Sequence, residues 1–458
     1  DNLEFKLSAI KTTYSNLDEL FNIFVEPFDL SKAPLFRMQY VKFWNGKSIL
    51  FSDFHHIICD GSSISIFIDE LCKLYNEQSL DDIEFDYIDY SVWEKEYFKT
   101  KSFEESEKFW LEQYKDEIPV LSMPTTYKRG NTYSFEGAKI YKTIPNSDKI
   151  LDLCKSLNTT PYMFLLSIYY ILLYKYTSQT DIIVGTPIVG RNMPELENMV
   201  GMFVNTLALR NKVDSKKSFT ELLNEISKNC LNCFEYQTYP FDKLIEKLNI
   251  KRDVNQNPLF DTMFVYQNEG NKEVKLGKIS SSYYMPDNKT SKFDFLLEIV
   301  PENNHFNINL EYCTSLFSDD FMQLFLKHYI NILNCVMENI DIKISDICML
   351  SLDEKENILN LWSDNSLEYP KDLSIIELFE NQVEKKPESI ALIYNDDKLT
   401  YEKLKIKVDS FASYLYNKGI RKGDFVGALL DRSSNLIISM LAIMKCGAIY
   451  LPISKKFP

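Results

Sequence analysis

The sequence predicts an α/β chain of more than one domain, on three observations. Two strand-like runs, residues 35–44 and 47–55, flank Asn45-Gly46. That pair is the strongest short hairpin signal, because both residues tolerate positive φ. A strongly apolar helix candidate at 161–176 leads into a buried-strand candidate at 181–189, the two periods expected of a helix laid on a sheet. From residue 373 onward helix and strand alternate, which implies a parallel sheet. At 458 residues, the length suits about three domains, or fewer if one is large.

The elements follow in order. The second strand delivers the chain to His55 and His56, and Asp60-Gly61-Ser62 breaks the pattern. Ile64, Phe67, Ile68, Leu71 and Tyr75 then fall at helical spacing, with Ser62 or Ser63 as the N-cap. Residues 101–118 read as an amphipathic helix ending before Pro119, and 119–135, with its prolines and Gly130, as a joining segment. Strands are expected at 203–210, 259–267 and 293–300, and helices at 218–236 and 317–339. A linker with one short helix near 353–362 occupies 340–372. Beyond it, helices at 375–384, 401–417 and 436–445 alternate with strands at 390–394, 425–430 and 448–453.

Composition excludes several classes. The net charge of −15 argues against blanket attraction to nucleic acid or an anionic membrane, since either wants a basic face. No apolar run is long enough for a membrane span, and the start lacks an initiator Met and a signal pattern. The chain therefore reads as a piece of something longer. Nine cysteines at irregular spacing suit free thiols in a reducing compartment, the cytoplasm. Cys230 and Cys233 have the C-x-x-C spacing, but they fall in a helical stretch with no second pair, so they read as buried helical thiols and not as half of a metal site.

Only four histidines occur, His55, His56, His305 and His328. Two are adjacent at a strand-to-loop junction, where successive side chains point to opposite faces, so one of them can face a given cleft. Histidine is the side chain best placed to move a proton near neutral pH, and Gly61 would admit a close approach by a reacting group. The plainer reading, two ordinary strand-end histidines, stands level with this one on residue chemistry alone. A metal site is weaker, since adjacent histidines diverge and no third ligand has useful spacing. Ser62 and Ser63 lie outside any nucleophile elbow. Asp60 reads as a residue that holds the loop by an ion pair.

The segment His55-His56-Ile57-Ile58-Cys59-Asp60-Gly61 reads H-H-x-x-x-D-G, and in this it resembles the condensation domains of nonribosomal peptide synthetases. Further segments resemble that family in its order. They are Tyr87-Ile88-Asp89-Tyr90-Ser91-Val92-Trp93, Val184-Gly185-Thr186-Pro187-Ile188-Val189-Gly190-Arg191 and Val200-Gly201-Met202-Phe203-Val204-Asn205-Thr206-Leu207, then Tyr239-Pro240-Phe241-Asp242-Lys243-Leu244 and Arg252-Asp253 through Pro258-Leu259-Phe260. Three departures accompany them. The family's first two motifs would lie before residue 1, Ser62 stands where many members have Trp, and Tyr236-Gln237 stands where many have His-Gln. Leu399-Thr400-Tyr401-Glu402-Lys403-Leu404 and Met444-Lys445-Cys446-Gly447-Ala448-Ile449-Tyr450-Leu451-Pro452-Ile453 resemble the start of an adenylation domain.

The resemblance implies two chloramphenicol-acetyltransferase-like α/β lobes in a V, at 1–125 (incomplete) and 126–345. A linker at 346–372 and an adenylation fragment at 373–458 would follow. It implies amide-bond formation between a donor acyl or peptidyl thioester and an acceptor aminoacyl thioester. His56 would face the amine, as base or as positioning group, with His55, Asp60 and Gly61 completing the site and Arg191 supporting it by pairing with Asp60. The expected partners are upstream and downstream peptidyl carrier domains and the rest of the adenylation domain, with no nucleic acid or membrane. Phosphopantetheine arms would come from the carriers, with no cofactor bound covalently to this chain and no metal at the site. ATP and Mg would serve only a complete adenylation domain. An epimerization domain, a CoA-dependent acyltransferase and a non-catalytic docking role are the other classes, and direct connection to an adenylation start argues against the first two.

Overall fold

The alternation on either side of Asn45-Gly46 produces an antiparallel hairpin. A computed structural model describes residues 8–12 (backbone only), 17–250, 255–267, 274–279, 281–284, 286, 288–361 and 368–454. Arg252 and Asp253 lie outside the described residues. After β1 (Ser8–Thr12) and α1 (Leu17–Phe24), β2 (Phe36–Phe43) pairs with β3 (Ser48–Phe54), Phe36 opposite Phe54. Gly46 takes φ +86° at the turn, where a Cβ would be strained. β1 adds in parallel to β2, giving the order β1-β2-β3. Val41 and Phe51 of this sheet pack on Leu20 and Phe24 of α1. The loop 55–60 then leads into α2 (Gly61–Tyr75).

The next two helices are α3 (Tyr87–Tyr97) and α4 (Lys101–Gln113). α3 was not expected, because its apolar residues are spread around the axis, with Ile88 and Val92 exposed. It is set by its start: Asp86 caps the N–H groups of Ile88 and Asp89, and Asp89 reaches back to the Asp86 N–H at 3.0 Å. α4 stops short of the expected end because Tyr114 turns into the core and donates its hydroxyl to the Ala208 carbonyl.

A six-stranded sheet carries most of the core. Its strands are β4 (Gly137–Pro145), β5 (Asp181–Ile188), β6 (Asn205–Lys212), β7 (Thr262–Tyr266), β8 (Phe295–Glu302) and β9 (His305–Cys313), in the order β4-β9-β8-β7-β5-β6. Helices α5 (Ser147–Ser156), α6 (Pro161–Thr177), α7 (Phe219–Glu235), α8 (Phe241–Lys247) and α9 (Asp319–Glu338) accompany it, and α10 (Leu352–Leu361) follows. α6 is buried without a break from Met163 to Leu173, which explains its uniformly apolar sequence. Each such large side chain contributes about 1.5–3 kcal/mol. Cys230 and Cys233 sit buried in α7, and all nine cysteines are free.

Two units divide the chain, Asp1–Asn357 and Ile358–Pro458. The second has its own small core, where Leu404, Val408 and Leu415 meet Ile438, Ala442 and Ile443. Its elements are α11 (Ile375–Lys385), β10 (Ile390–Tyr394), β11 (Asp397–Thr400), α12 (Tyr401–Asn417), β12 (Phe425–Ala428), α13 (Ser434–Lys445) and β13 (Ile449–Pro452). The expected parallel sheet is only partly formed among the described residues. β12 and β13 are parallel, but β10 and β11 make a separate antiparallel hairpin. Asn395, at φ +52°, provides the tight turn that joins them. No helix among the described residues is long and apolar enough to cross a membrane.

Candidate active site

β3 ends at Phe54, and a turn over 56–58 replaces the strand, closed by the Ile58 N–H donating to the His55 carbonyl at 3.1 Å. The His55 N–H is held by the Leu35 carbonyl at 3.0 Å, and its Nδ1 accepts the Ile57 N–H at 3.1 Å. The neutral ring therefore carries its proton on Nε2. The Phe28 ring also stands perpendicular to this imidazole, with centroids 6.0 Å apart.

His56 differs from the other three histidines. It is exposed, and no hydrogen-bond partner for it is found among the described residues. His305 pairs with Glu302 at 3.3 Å. His328 is buried between the Tyr176 hydroxyl at 2.7 Å and Glu354 at 3.0 Å. Burial pushes His328 down, against the pull of Glu354.

The expected serine N-cap of α2 is corrected by the structure. Asp60 is the cap, at φ −112°, and its Oδ1 accepts the Ser63 N–H at 2.8 Å. Ser62 and Ser63 are already helical. The aspartate takes the role because it lies one residue before the helix and leaves the third N–H within reach. Its residue exposure is 2%, yet both carboxylate oxygens accept hydrogen bonds. Oδ1 also accepts the Ser63 hydroxyl at 2.8 Å and Arg191 Nη2 at 3.0 Å, and Oδ2 accepts the Phe203 N–H at 3.1 Å. Burial opposes the charge, but the Ser63 N–H and hydroxyl, the Phe203 N–H and Arg191 outweigh it and hold the carboxyl below its ordinary range.

Arg191 follows β5 and is likewise enclosed, with 5% side-chain exposure against none for Asp60. Its Nη1 donates to the carbonyls of Leu196 and Met199, and its guanidinium carbon lies 4.3 Å from the Phe203 ring centroid. Two glycines make this approach possible. A Cβ on Gly190, at φ +69°, would sit 1.9 Å from the Phe203 carbonyl oxygen, and one on Gly201 would sit 2.1 Å from the Tyr87 ring. Gly61 has no such constraint: a Cβ there meets nothing within 4 Å.

The structure thus brings His55, His56, Asp60, Gly61 and Arg191 onto one loop-and-helix junction and its brace. The sequence carries no sign that Phe203, Gly201 or Tyr87 complete the brace, and it offers Ser63 only as a helix cap. Asn205 lies at the start of β6. Its amide donates to the Gln237 and Tyr239 carbonyls at 2.9 and 2.8 Å, and its oxygen accepts the Phe241 N–H at 3.2 Å, fixing the turn into α8.

The first unit is thus a two-sheet α/β fold whose histidine turn is braced by a buried ion pair. Comparison with known proteins gives the family. The model of the condensation domain matches residues 1–359, and that of the AMP-binding enzyme matches residues 379–458. The chain belongs to the condensation-domain family of nonribosomal peptide synthetases. It is 39% identical to gramicidin S synthase 2 of Brevibacillus brevis over 464 aligned positions, covering 100% of this chain and 10% of that protein. It is 37% identical to tyrocidine synthase 3 of Brevibacillus parabrevis, covering 100% of this chain and 7% of that protein. The chain therefore spans a tenth or less of the length of these curated relatives. A solved four-domain nonribosomal peptide synthetase bound to AMP and glycine shares the fold with a TM-score of 0.79 at 21% identity, covering 100% of this chain and 36% of that one.

Proposed function

We propose that this chain forms an amide bond between two thioesters presented by carrier domains, with His56 facing the reacting amine. The acceptor's α-amine nitrogen attacks the donor's thioester carbon. The C–N bond forms, the C–S bond breaks, and the proton shed by nitrogen ends on the departing thiolate, giving the free thiol of the donor's tether. The His56 imidazole receives that proton, or a hydrogen bond from it, as charge develops. Both substrates arrive tethered, so proximity supplies much of the rate. The tethers are the phosphopantetheine arms of an upstream and a downstream carrier, and the acceptor is activated by the complete AMP-binding domain with ATP and magnesium.

The observation that carries this reading is the division of labour within 55–61. His55 is bonded to its own turn, Cys59 is buried, and Asp60 accepts four hydrogen bonds, three on Oδ1 and one on Oδ2. His56 and Gly61 are exposed, and a Cβ on Gly61 would meet nothing within 4 Å. A carboxylate committed to four donors is a poor proton acceptor, so Asp60 acts as a brace. His55 supports the turn. Arg191 carries no chemistry of its own and fixes Asp60. The domain boundaries of this reading remain those drawn from the sequence, with lobes at 1–125 and 126–345, a linker at 346–372 and an adenylation fragment at 373–458.

The test is single-turnover amide formation with both carriers loaded chemically, in a module holding this chain and its neighbouring carriers. His56→Ala is expected to lower the rate by about 10²–10⁴-fold, with carrier loading and thermal unfolding unchanged. A normal rate in that variant removes His56 from the reaction. An inverted stereocentre without amide product would instead assign epimerization.

A further inference from the structure

Ser63 has 1% exposure, and three of the four hydrogen bonds of its hydroxyl reach Gly201 and Arg191, away from its own helix. A hydroxyl has one proton and two lone pairs. The lone pairs of Oγ accept the Gly201 N–H and Arg191 Nη2, each at 3.0 Å, and the proton is shared between Asp60 Oδ1 and the Gly201 carbonyl, both at 2.8 Å. α2 does not need this hydroxyl, because Asp60 already caps the Ser63 N–H. The hydroxyl instead holds both polar groups of one distant residue.

Gly201 belongs to a segment gripped at three successive positions. Ser63 takes its N–H and carbonyl, Tyr87 donates its hydroxyl to the Met202 carbonyl at 2.8 Å, and Asp60 accepts the Phe203 N–H. The Tyr87 ring closes the other side, where a Gly201 Cβ would collide with it. The segment 201–203 is therefore wedged between α3 and the N-terminus of α2, and the turn carrying His56 feeds directly into that N-terminus.

We propose that Ser63 is a positioning residue for the His56 turn. Through Asp60, Arg191 and Gly201 it sets the spacing between the start of α2 and the segment before β6. This rests on the reading of His56 above. A misplacement of about 1 Å at a reacting group can cost on the order of 10²-fold in rate, whereas a side chain this deeply enclosed offers nothing for a carrier to dock on. The effect of its loss belongs in the rate constant and not in KM.

The experiment uses the complete module with chemically loaded carriers and measures single-turnover rate and acceptor-carrier KM for Ser63→Ala, Ser63→Cys, Ser63→Thr and His56→Ala. Ser63→Ala is expected to lower the rate by about 10–100-fold with KM within about twofold, and Ser63→Thr, which keeps the hydroxyl, to restore most of it. Should Ser63→Ala not fold, Ser63→Cys decides, since it fills the same space with a weak hydrogen-bonding group; a slowed rate at unchanged KM supports the proposal. A normal rate in Ser63→Cys beside a slow His56→Ala overturns the role of Ser63 alone. Equal losses in Ser63→Thr and Ser63→Ala also overturn it. A normal rate in His56→Ala removes the underlying reading and this proposal with it.

Discussion

Replacing Asp60 by Asn tests whether the buried ion pair braces the site. The substitution keeps the shape and a serviceable helix cap, but removes the charge opposite Arg191. That guanidinium has 5% side-chain exposure, and breaking a buried pair by deleting one partner typically costs about 3–5 kcal/mol. Arg191 keeps the Leu196 and Met199 carbonyls and the Phe203 ring, which places its share near the lower bound. A second loss follows from amide geometry. Oδ1 faces the Ser63 N–H and Oδ2 faces the Phe203 N–H, so either orientation of Asn sets its NH₂ against a buried donor, at about 1–3 kcal/mol. These losses share atoms and do not simply add, so the expected total is about 4 kcal/mol. Urea unfolding of the chain, at constant slope, measures it. The cycle with Arg191→Met isolates the pair. Asp60→Asn with Arg191→Met should cost at least about 2 kcal/mol less than the sum of the single variants, because removing both charges leaves neither stranded. The Asp60 carboxyl is held below its ordinary range, with burial opposing and the Ser63, Phe203 and Arg191 hydrogen bonds prevailing. Its stabilisation is therefore present above its unfolded value of about 4 and lost as pH falls through the lower folded value. The gap between wild type and Asp60→Asn should narrow in acid. A single-variant cost below about 1 kcal/mol, or additivity within about 0.5 kcal/mol, would refute the reasoning.

Two further expectations concern glycine and a buried acid. Gly61→Ala should fold with stability within about 1 kcal/mol of wild type, because the position is helical and unobstructed, yet should slow amide formation; Gly190→Ala should lose the fold, since both its φ and the Phe203 carbonyl forbid a Cβ. Thermal unfolding and product yield, read together, separate the two. Asp261 is pushed up to about 7, first by burial and then by the charge of Asp294, against Arg129 and the Asn257 N–H. Between about pH 4 and 7 the unfolded chain ionises there while the folded one stays protonated, so stability declines over that window. Asp261→Asn should therefore gain as much as about 4 kcal/mol relative to wild type at pH 8 and much less at pH 4.5, in urea titrations at the two pH values. Equal differences at both would show that Asp261 is ionised in the fold.

The elements legible in the sequence were those whose period survives unmixed. The β2–β3 hairpin, α6 and α9 each present one pattern over a long enough run. α3 was hidden because a capping box and aromatic contacts to Phe203, not an apolar stripe, hold it in place. β9 buries Phe306, Ile308 and Leu310 and interleaves asparagines, an alternation that could have identified it. At the site, the motif exposed His56, Asp60 and Arg191. It pointed to the ion pair at Asp60 and left the cap to Ser62 or Ser63, because a serine at a helix start is the ordinary cap; only the bonds to the Ser63 N–H and Arg191 show that Asp60 performs both roles. Ser63 stayed invisible for a related reason: at the start of a helix a serine is expected to serve its own backbone, and this one serves Gly201.

Why a charged pair should occupy this position is answered by direction more than by strength. A buried ion pair adds little stability over well-packed apolar groups, and the neighbouring cluster of Leu196, Met199 and Phe203 already supplies apolar contact. Apolar contact is nearly indifferent to a slide of an ångström, whereas a carboxylate accepting from Ser63, Arg191 and Phe203 at 2.8–3.1 Å is not. The pieces it joins are 131 residues apart in sequence and follow strands of different sheets. A histidine on a short turn inherits whatever error that junction has. On this view the Asp60–Arg191 pair and the Ser63 hydroxyl are one device for register. Apolar replacement of both charges should then leave a folded protein whose His56 is present and slow.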